Sequence, residues 1–307
     1  MADETSDWEA ASSWTMLGDD ALDVWRVHLD ALDLPTSAVL GAALSPDEAA
    51  RAMRYHRFID RERFKRGRGV LRALLGLYLG RAPDAVALTA NAHGKPLLAS
   101  SSLCFNVAHS DDLALYAFAK RRRVGVDVER VHDDGDWRSI AVHFFSAREQ
   151  QALSTLSGPA LMAAFFAIWT RKEAYVKARG LGLSLPLDSF DVDHEPGSRS
   201  VVTMHDVDGG IDAVPGSVSV PQQLGSTNVS PDASWASGSP GSARNAPSSP
   251  HLPTSLRADE NGLLVAGQEM RGRWTISDLV VEPGYAAALS VEGDDAWRLR
   301  PWDWRRT

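Results

Sequence analysis

The residues best suited to chemistry in this chain stand in two short segments. Asp127 and Glu129 belong to the run from Gly125 to Glu129, and Glu173 and Lys177 follow further along the chain. Three carboxylates and a lysine could hold a divalent cation against a phosphate, because Mg²⁺ prefers oxygen ligands and completes its shell with waters and substrate phosphates. The sequence therefore indicates a class of reaction as well as a fold.

The first segment has the pattern of a β-strand. Valines alternate with other residues between Arg123 and Val131, and side chains along a strand alternate between its two faces. Asp127 and Glu129 should therefore share one face, about 6–7 Å apart along the backbone, so that both could reach one ion. Taken alone, the pattern is more typical of a strand that carries two solvated acids on an exposed face.

The second segment has the pattern of a helix. The stretch from Leu161 to Arg179 is rich in Ala, Leu, Met, Phe and Lys, and Gly180 follows as a C-terminal stop. Glu173 and Lys177 are four residues apart and should share a helix face. They could form an ordinary surface ion pair, or they could supply a third metal carboxylate and a cation directed at a phosphate.

The order and spacing of these and other motifs resemble the Sfp-type 4′-phosphopantetheinyl transferases. The resemblance runs from about residue 45 to about residue 291, with one interruption. The segments that carry it are Gly94–Leu97, Phe105–Ser110, Gly125–Glu129, Phe144–Ser146 with Glu149, Trp169–Lys177, Gly180–Phe190 and Val281–Tyr285. Each motif is weak by itself, whereas their common order is specific.

The resemblance implies an α+β fold made of two similar α/β-type halves that are related by a pseudo-twofold axis. We place the first half at residues 1–122 and the second at 123–307, with a low-complexity insertion at about 197–257. Residues 215–255 are dominated by Ser, Pro, Gly, Ala and Asn, which favours disorder. The hydrophobic pattern predicts strands over Leu22–Leu32 and Leu113–Ala119, and one or two helices over Pro46–Leu79. The run from Ser146 to Glu149 is a capping-box signature.

The implied reaction moves the 4′-phosphopantetheine arm of coenzyme A, the co-substrate, to a serine of an apo acyl or peptidyl carrier protein. Adenosine 3′,5′-bisphosphate is released. Asp127, Glu129 and Glu173 are the expected ligands of Mg²⁺, and Lys177 is the expected cation for the leaving group. Glu173, Glu149 or a metal-bound water could accept the serine proton; for Glu149, a role as a helix cap is an equal alternative.

Coenzyme A contacts are expected from residues that match the family motifs by position. Besides Lys177, these are Arg51, Arg68, Lys95 and His109. The family often has a small hydroxyl residue directly before the motif histidine, where this chain has Ala108. The grip on the 3′-phosphate should therefore be weaker, or should be supplied by Ser110.

Charge and composition exclude several other classes of protein. The formal net charge is −8, which argues against nucleic-acid binding by the net field of the molecule. The segment from Arg51 to Arg81 nevertheless carries ten Lys or Arg against two acids, and a few of these cations could bind an anionic cofactor. The single Cys104 fits a reducing cytoplasm. We expect no signal peptide, because the N-terminus Met1–Thr5 is acidic and polar. We expect no membrane span, because the longest apolar stretch, near Leu161–Trp169, is too short.

Two other functions remain as alternatives. A non-catalytic homologue could hold coenzyme A or a carrier protein without transfer. An unrelated Mg²⁺-nucleotide enzyme would need a glycine-rich phosphate loop, and Gly67–Gly69 and Gly180–Gly182 are too short for one. By its two-half length, this chain resembles members of the family that act on carriers of secondary metabolism. Two-half members usually work as monomers. We expect the same class of carrier and a monomer here.

Overall fold

The computed structural model describes residues 8–99, 101–195, 199–204, 273–293 and 296–304. The first half begins with two strands, continues with three helices and ends with four strands. Its elements are β1 (Glu9–Ala10), β2 (Ala21–His28), α1 (Leu34–Ala42), α2 (Pro46–Ala52), α3 (Phe58–Leu79), β3 (Leu88–Ala90), β4 (Pro96–Leu98), β5 (Leu103–Ser110) and β6 (Leu113–Lys120). The segment Pro46–Leu79 therefore forms two helices, one of the two arrangements expected from its sequence.

The second half begins with a strand, continues with three helices and ends with further strands. Its elements are β7 (Val124–Arg130), α4 (Trp137–Phe144), α5 (Ala147–Ser154), α6 (Gly158–Arg179), β8 (Phe190–Asp191), β9 (Arg199–Val201), β10 (Thr203–Met204), β11 (Trp274–Asp278), β12 (Tyr285–Glu292) and β13 (Arg298–Asp303). The expected insertion at about 197–257 begins with the short strands β9 and β10, and its remainder from residue 205 lies outside the described residues.

Two sheets form the centre of the fold. The first has the strand order β1-β13-β2-β6-β5, and the second has the order β7-β12-β11-β9. The sequence division at residue 122 assigns β13 to the second half, whereas in the structure β13 pairs in parallel with β2 of the first sheet. Cross-strand charge pairs accompany this pairing: Arg300 lies 2.5 Å from Asp23, and Arg26 lies 2.8 Å from Asp303. The C-terminal strand is thus part of the first half's sheet.

The apolar side chains form three cores, which define the layers of the molecule. The first core lies between α3 and the first sheet, and the second lies between α6 and the second sheet. The third consists of side chains from the facing surfaces of the two sheets, among them Val24, Leu115, Val126, Val128 and Leu289. Each half therefore covers its sheet with one long helix on the outside, and the two sheets bury their inner faces against each other.

The fold is the mixed α+β arrangement that the sequence predicts. The strand over Leu22–Leu32 is shorter than expected, because the chain leaves β2 after His28 and turns at Leu29, whose backbone N–H binds the carbonyl of Asp112 at 2.7 Å. The helix over Leu161–Arg179 is confirmed and begins slightly earlier, at Gly158. In the described ranges, no helix combines the length and the apolar character needed to cross a lipid bilayer.

Strand β7 lies unusually close to helix α6. A Cβ atom at Gly125 would stand 2.1 Å from the carbonyl oxygen of Ala174 and 2.3 Å from the backbone nitrogen of Ala178. Only the absence of a side chain at Gly125 permits this approach. The two elements that carry the predicted site residues are therefore in backbone contact.

The Gly125→Ala variant tests this close packing. The added methyl group must displace backbone atoms of α6, so we expect the free energy of unfolding to fall by about 1–3 kcal/mol. Urea denaturation measures the change. The matched control is Gly41→Ala in α1, where a new Cβ would have no neighbour within 4 Å and should stabilise by about 0.4–1 kcal/mol. Equal stability of the Gly125→Ala variant and the unmodified protein would contradict the model of a glycine-dependent contact.

Candidate active site

The alternation of side chains along β7 directs its acids towards α6. Val126 and Val128 belong to the core between the two sheets, and Asp127 and Glu129 point to the opposite side, as the sequence predicts. β7 pairs along its whole length with β12, which fixes its backbone in the second sheet. The carboxylates of β7 therefore face the helix that supplies Glu173 and Lys177.

Lys177 bridges the helix and the strand. Its Nζ donates to Oδ1 of Asp127 at 2.5 Å, and Asp127 is almost fully buried. The partner of Lys177 is thus a carboxylate on the neighbouring strand, and the hydrogen-bonded ion pair within α6 that the four-residue spacing could also form is not the one observed. Glu173 still lies close enough to contribute, with Asp127, to raising the pKa of Lys177 against the opposing effect of burial.

The pKa values of the three carboxyl groups are all raised, mainly by burial. Burial raises the pKa of Glu173 to about 7; the nearby Lys177 opposes this rise, and Asp127 adds to it. Burial likewise raises the pKa of Asp127 and, together with the charge of Asp127, raises that of Glu129 well above its usual range. One ammonium group therefore faces three acids that interact with one another.

The chemistry of this donor set, three carboxylates, suits a divalent cation. Oδ2 of Asp127 is buried and has no hydrogen-bond partner, and the three carboxylates supply only oxygen donors, which Mg²⁺ prefers. In the described part of the chain, no group of three His, Cys, Asp or Glu side chains is already arranged to hold a metal ion. Lys177 occupies one oxygen of Asp127, so a bound cation would take over part of the charge balance that this lysine now provides.

Glu129 has a further partner that the sequence analysis did not assign to it. The hydroxyl of Ser110, at the end of β5, donates to Oε2 of Glu129 at 3.0 Å. Asn106 on the same strand accepts a hydrogen bond from the backbone N–H of Val126 at 2.8 Å. The sequence does contain a signal for these contacts. Asn106 and Ser110 are polar residues four positions apart in the motif Phe105–Ser110, so on a strand they should lie on the same face.

Glu149 on α5 and Lys172 on α6 form a buried ion pair. Lys172 Nζ lies 2.8 Å from Oε2 of Glu149, which also accepts from the backbone N–H of Ser146; Oε1 accepts from the backbone N–H of Val192. The capping box predicted for α5 is confirmed by the reciprocal bonds of Ser146 and Glu149. Both oxygens of Glu149 are engaged by donors of the protein, so its role as a helix cap is observed, and its role as a proton acceptor stays a prediction.

Lys95 connects the first half with the end of α6. Its Nζ donates to the carbonyl oxygens of Lys177, Ala178 and Val124, at 2.6, 3.3 and 3.4 Å. Burial lowers its pKa to about 8, and the nearby Arg123 acts in the same direction. The ammonium group therefore binds carbonyls at the C-terminal end of the helix that carries Glu173, where a cation is also favoured by the helix dipole. The expected contact with coenzyme A stays a prediction.

His109 lies on β5 in surroundings that disfavour its charged form. Burial, aided by the positive charges of Lys177 and Arg63, lowers its pKa to about 4. The imidazole is consequently neutral at pH 7. Among the groups that contribute to this shift is Lys177, so His109 and the carboxylate cluster lie in the same part of the molecule. The expected contact of His109 with coenzyme A stays a prediction.

Arg51 and Arg68 flank Phe64 on the first-half helices. The guanidinium carbons of Arg51 and Arg68 lie 5.4 and 5.8 Å from the centre of the Phe64 ring. Arg68 is buried, and its Nε lies 3.5 Å from Oε1 of Glu48. Burial lowers the pKa of Arg68, against the opposing effect of Glu48. The two arginines form a pair with Phe64, and their role towards coenzyme A stays a prediction.

The Lys95→Met variant separates a structural role of Lys95 from a role limited to ligand binding. The change keeps the length of the side chain and leaves helix-terminal carbonyls without their donor. We expect the free energy of unfolding of the ligand-free protein to fall by about 1–3 kcal/mol, measured by urea denaturation. The control is Lys65→Met, which removes only an ion pair with Glu62 three residues away and should cost at most about 0.5 kcal/mol. Unchanged stability of the Lys95 variant would mean that the lysine serves the ligand alone.

The buried neutral His109 makes stability depend on pH. The pKa in the fold is about 4, below the usual 6.5, so the unfolded chain binds more protons between these two values. The stability that the neutral imidazole contributes is therefore present above about pH 6.5 and is lost as the pH falls towards 4. We expect a loss on the order of 1–3 kcal/mol across this window. The His109→Gln variant should show a flatter profile in urea titrations; identical slopes would contradict this account.

Comparison with known proteins agrees with the motifs and the geometry. The family model of the 4′-phosphopantetheinyl transferase superfamily matches residues 123–216. The 4′-phosphopantetheinyl transferase HetI of Nostoc sp. is 42% identical over 176 residues, which cover 55% of this chain and 73% of that protein. The 4′-phosphopantetheinyl transferase Sfp of Bacillus subtilis (strain 168) is 28% identical over 160 residues, which cover 52% of this chain and 70% of that protein. The chain belongs to the 4′-phosphopantetheinyl transferase superfamily.

Proposed function

We propose that this protein transfers the 4′-phosphopantetheine arm of coenzyme A to a serine hydroxyl of an apo acyl or peptidyl carrier protein, in a reaction that depends on Mg²⁺. The observation that carries the proposal is the group formed by Asp127, Glu129 and Glu173 around Lys177. A purely structural site would pair its acids with equal numbers of cations, because unpaired buried charges are costly. This one has spare carboxylate capacity.

The three carboxylates would hold the metal ion. When bound, Mg²⁺ would neutralise the charge of the pyrophosphate and orient its phosphorus for attack. Asp127 offers the unpartnered Oδ2, and Glu129 offers the oxygen that does not accept from Ser110. Glu173 contributes from the helix side, so ligands come from two elements that the contact at Gly125 keeps in place.

The proton of the carrier serine must leave as its oxygen bonds to phosphorus. Glu173 could accept it, since burial raises the pKa of this carboxyl to about 7 when no metal is bound. A metal ion on the same carboxylate would lower that pKa, and a metal-bound water is then the alternative base. Glu149 is less suited to this role, because its oxygens already accept hydrogen bonds from Lys172 and two backbone N–H groups. The phosphorus–oxygen bond to adenosine 3′,5′-bisphosphate breaks in the same transfer, and Lys177 would stabilise the charge on this leaving group.

Positive and neutral donors of the first half would bind the rest of coenzyme A. His109 is neutral at pH 7 and would lie beside a phosphate of coenzyme A; a dianion there would offset the effect of burial on its pKa. Arg51 and Arg68 would add positive charge near the 3′-phosphate, and Lys95 would contribute from the loop before β4. Ala108 offers no hydroxyl here, so backbone N–H groups would have to replace one hydrogen bond.

We further propose that the carriers are those of secondary metabolism, that the protein works in the cytoplasm and that a single chain forms the whole site. The last point is supported by the origin of the predicted site residues, since both halves of one chain supply them. A panel of apo fatty-acid, polyketide and peptide carriers, compared by the rate of labelling, would identify the preferred class.

Two variants test the proposed reaction. The unmodified protein, incubated with coenzyme A, Mg²⁺ and an apo carrier, should raise the mass of the carrier by one phosphopantetheine arm. Glu173→Gln and Asp127→Ala should each slow this labelling by at least about 100-fold, because each removes a metal ligand and the first also removes a candidate base. Mass spectrometry of the carrier measures the rate, and circular dichroism checks the fold.

The control variant is Glu62→Gln, which changes an acid on α3 whose partner is Lys65. Its rate should equal that of the unmodified protein. Full activity of both site variants would refute the assignment of these residues. Binding of coenzyme A by the unmodified protein without any gain in carrier mass would refute transfer and would favour the non-catalytic homologue.

A further inference from the structure

The two sheets meet along an edge strand of each sheet. β5 is the last strand of the first sheet, and β7 is the first strand of the second. No backbone ladder joins them; instead, side chains of β5 bind the backbone of β7. Asn106 accepts from the N–H of Val126, and Ser110 accepts from the N–H of Arg130, at 2.8 and 3.0 Å. Both contacts join residues that are 20 positions apart, so the two strands run side by side in a fixed register.

Ser110 makes one more contact in this arrangement, and it reaches the candidate metal site. The residue is buried, and its hydroxyl donates to Oε2 of Glu129 at 3.0 Å. A serine hydroxyl has one proton to donate, and here this proton is used on Glu129. The oxygen accepts from the backbone N–H of Arg130. Ser110 is therefore engaged as donor and acceptor, which favours the other expectation drawn from Ala108, a weaker grip on the 3′-phosphate.

We propose that Ser110 is a positioning residue that orients the Glu129 carboxylate for the metal ion. The inference rests on the proposed function, because it assigns Glu129 to that metal. By holding Oε2, the hydroxyl restricts rotation of the carboxylate and leaves Oε1 for the metal ion. Outer partners of metal ligands act in this way and typically change metal affinity by about 10–100-fold when they are removed.

The fixed register of β5 and β7 is what makes this contact specific. Asn106 holds the start of the shared stretch and Ser110 holds its end, so the first half supplies an orienting group to a carboxylate of the second half. The motif Phe105–Ser110 thereby has two tasks on the two faces of one strand. His109 lies on one face, and Asn106 and Ser110 lie on the other.

The test uses Mn²⁺ as the probe ion, titrated into the full-length protein in the presence of coenzyme A and followed by electron paramagnetic resonance. Ser110→Ala should weaken Mn²⁺ binding by about 10-fold. Ser110→Thr keeps the hydroxyl and should stay within about 2-fold of the unmodified protein. The matched control is Ser290→Ala on β12, because Ser290 is fully buried and its hydroxyl has no hydrogen-bond partner; its affinity should not change.

Steady-state labelling of an apo carrier supplies a second readout. The Ser110→Ala variant should need about 10-fold more Mg²⁺ for half-maximal rate, while its KM for coenzyme A stays as in the unmodified protein. A merely structural defect would lower the amount of folded protein without moving the Mg²⁺ requirement. If the alanine variant does not fold, Ser110→Cys replaces it, because a thiol has a similar shape and is only a weak hydrogen-bond donor. The Ser110→Cys protein should also bind Mn²⁺ more weakly than the Ser110→Thr protein.

The possible outcomes separate this inference from the proposed function. Unchanged Mn²⁺ affinity in Ser110→Ala would overturn the positioning role alone. A raised KM for coenzyme A with an unchanged Mg²⁺ requirement would also overturn it and would place the hydroxyl on a coenzyme A phosphate. Failure of the unmodified protein to bind Mn²⁺ would overturn the metal role in the proposed function itself, and the inference with it.

Discussion

The close contact between β7 and α6 is the constraint on which the site depends. Gly125 lets the strand approach the backbone of the helix near Ala174 and Ala178. At this distance a lysine from the helix can reach an acid on the strand, and the result is the 2.5 Å contact of Lys177 with Asp127. A side chain at position 125 would separate the two elements, and the carboxylates would no longer share one small volume. The geometry of the acids is thus set by a residue that has no chemistry of its own.

A second constraint is the seam between the two halves. Apolar side chains from the facing sheets fill the interior of this seam. At its edges, polar groups of the first half form hydrogen bonds to the second half. Lys95 binds the carbonyls at the end of α6, and Ser110 binds Glu129 on β7. The first half therefore holds both elements of the second half that carry candidate metal ligands. The two bridges differ in character, because Lys95 fixes the backbone of the helix and Ser110 fixes a side chain.

Local patterns in the sequence predicted much of this arrangement. The alternation of valines and acids places Asp127 and Glu129 on one face of β7, and the run from Ser146 to Glu149 forms the expected capping box. These features depend on neighbours within a few residues, so their outcome is decided by periodicity and capping alone. The same holds for α6, whose end at Gly180 follows from the left-handed conformation that glycine adopts there.

The features that could not be predicted depend on contacts between residues distant in the chain. The sequence spacing paired Lys177 with Glu173, and the fold brings Asp127 closer. The motif match assigned Lys95 to coenzyme A, and its ammonium group is found on carbonyls 82 and 83 residues away. β13 joins the first sheet although it follows the second half in sequence, and no local pattern indicates which of two sheets a strand will join.

Charge balance explains why such a cluster favours function over stability. Burying Asp127, Glu129 and Glu173 costs free energy, and the rise in the pKa of each acid expresses this cost, to which the charge of Asp127 adds for Glu129 and Glu173. Lys177 compensates only part of it. Elsewhere in the same half, Glu149 is buried as deeply, and there the chain supplies a lysine and two backbone N–H groups for one carboxylate. Glu149 thus has three donors to itself, whereas the three acids on β7 and α6 share one lysine, which leaves negative charge for a bound cation to balance.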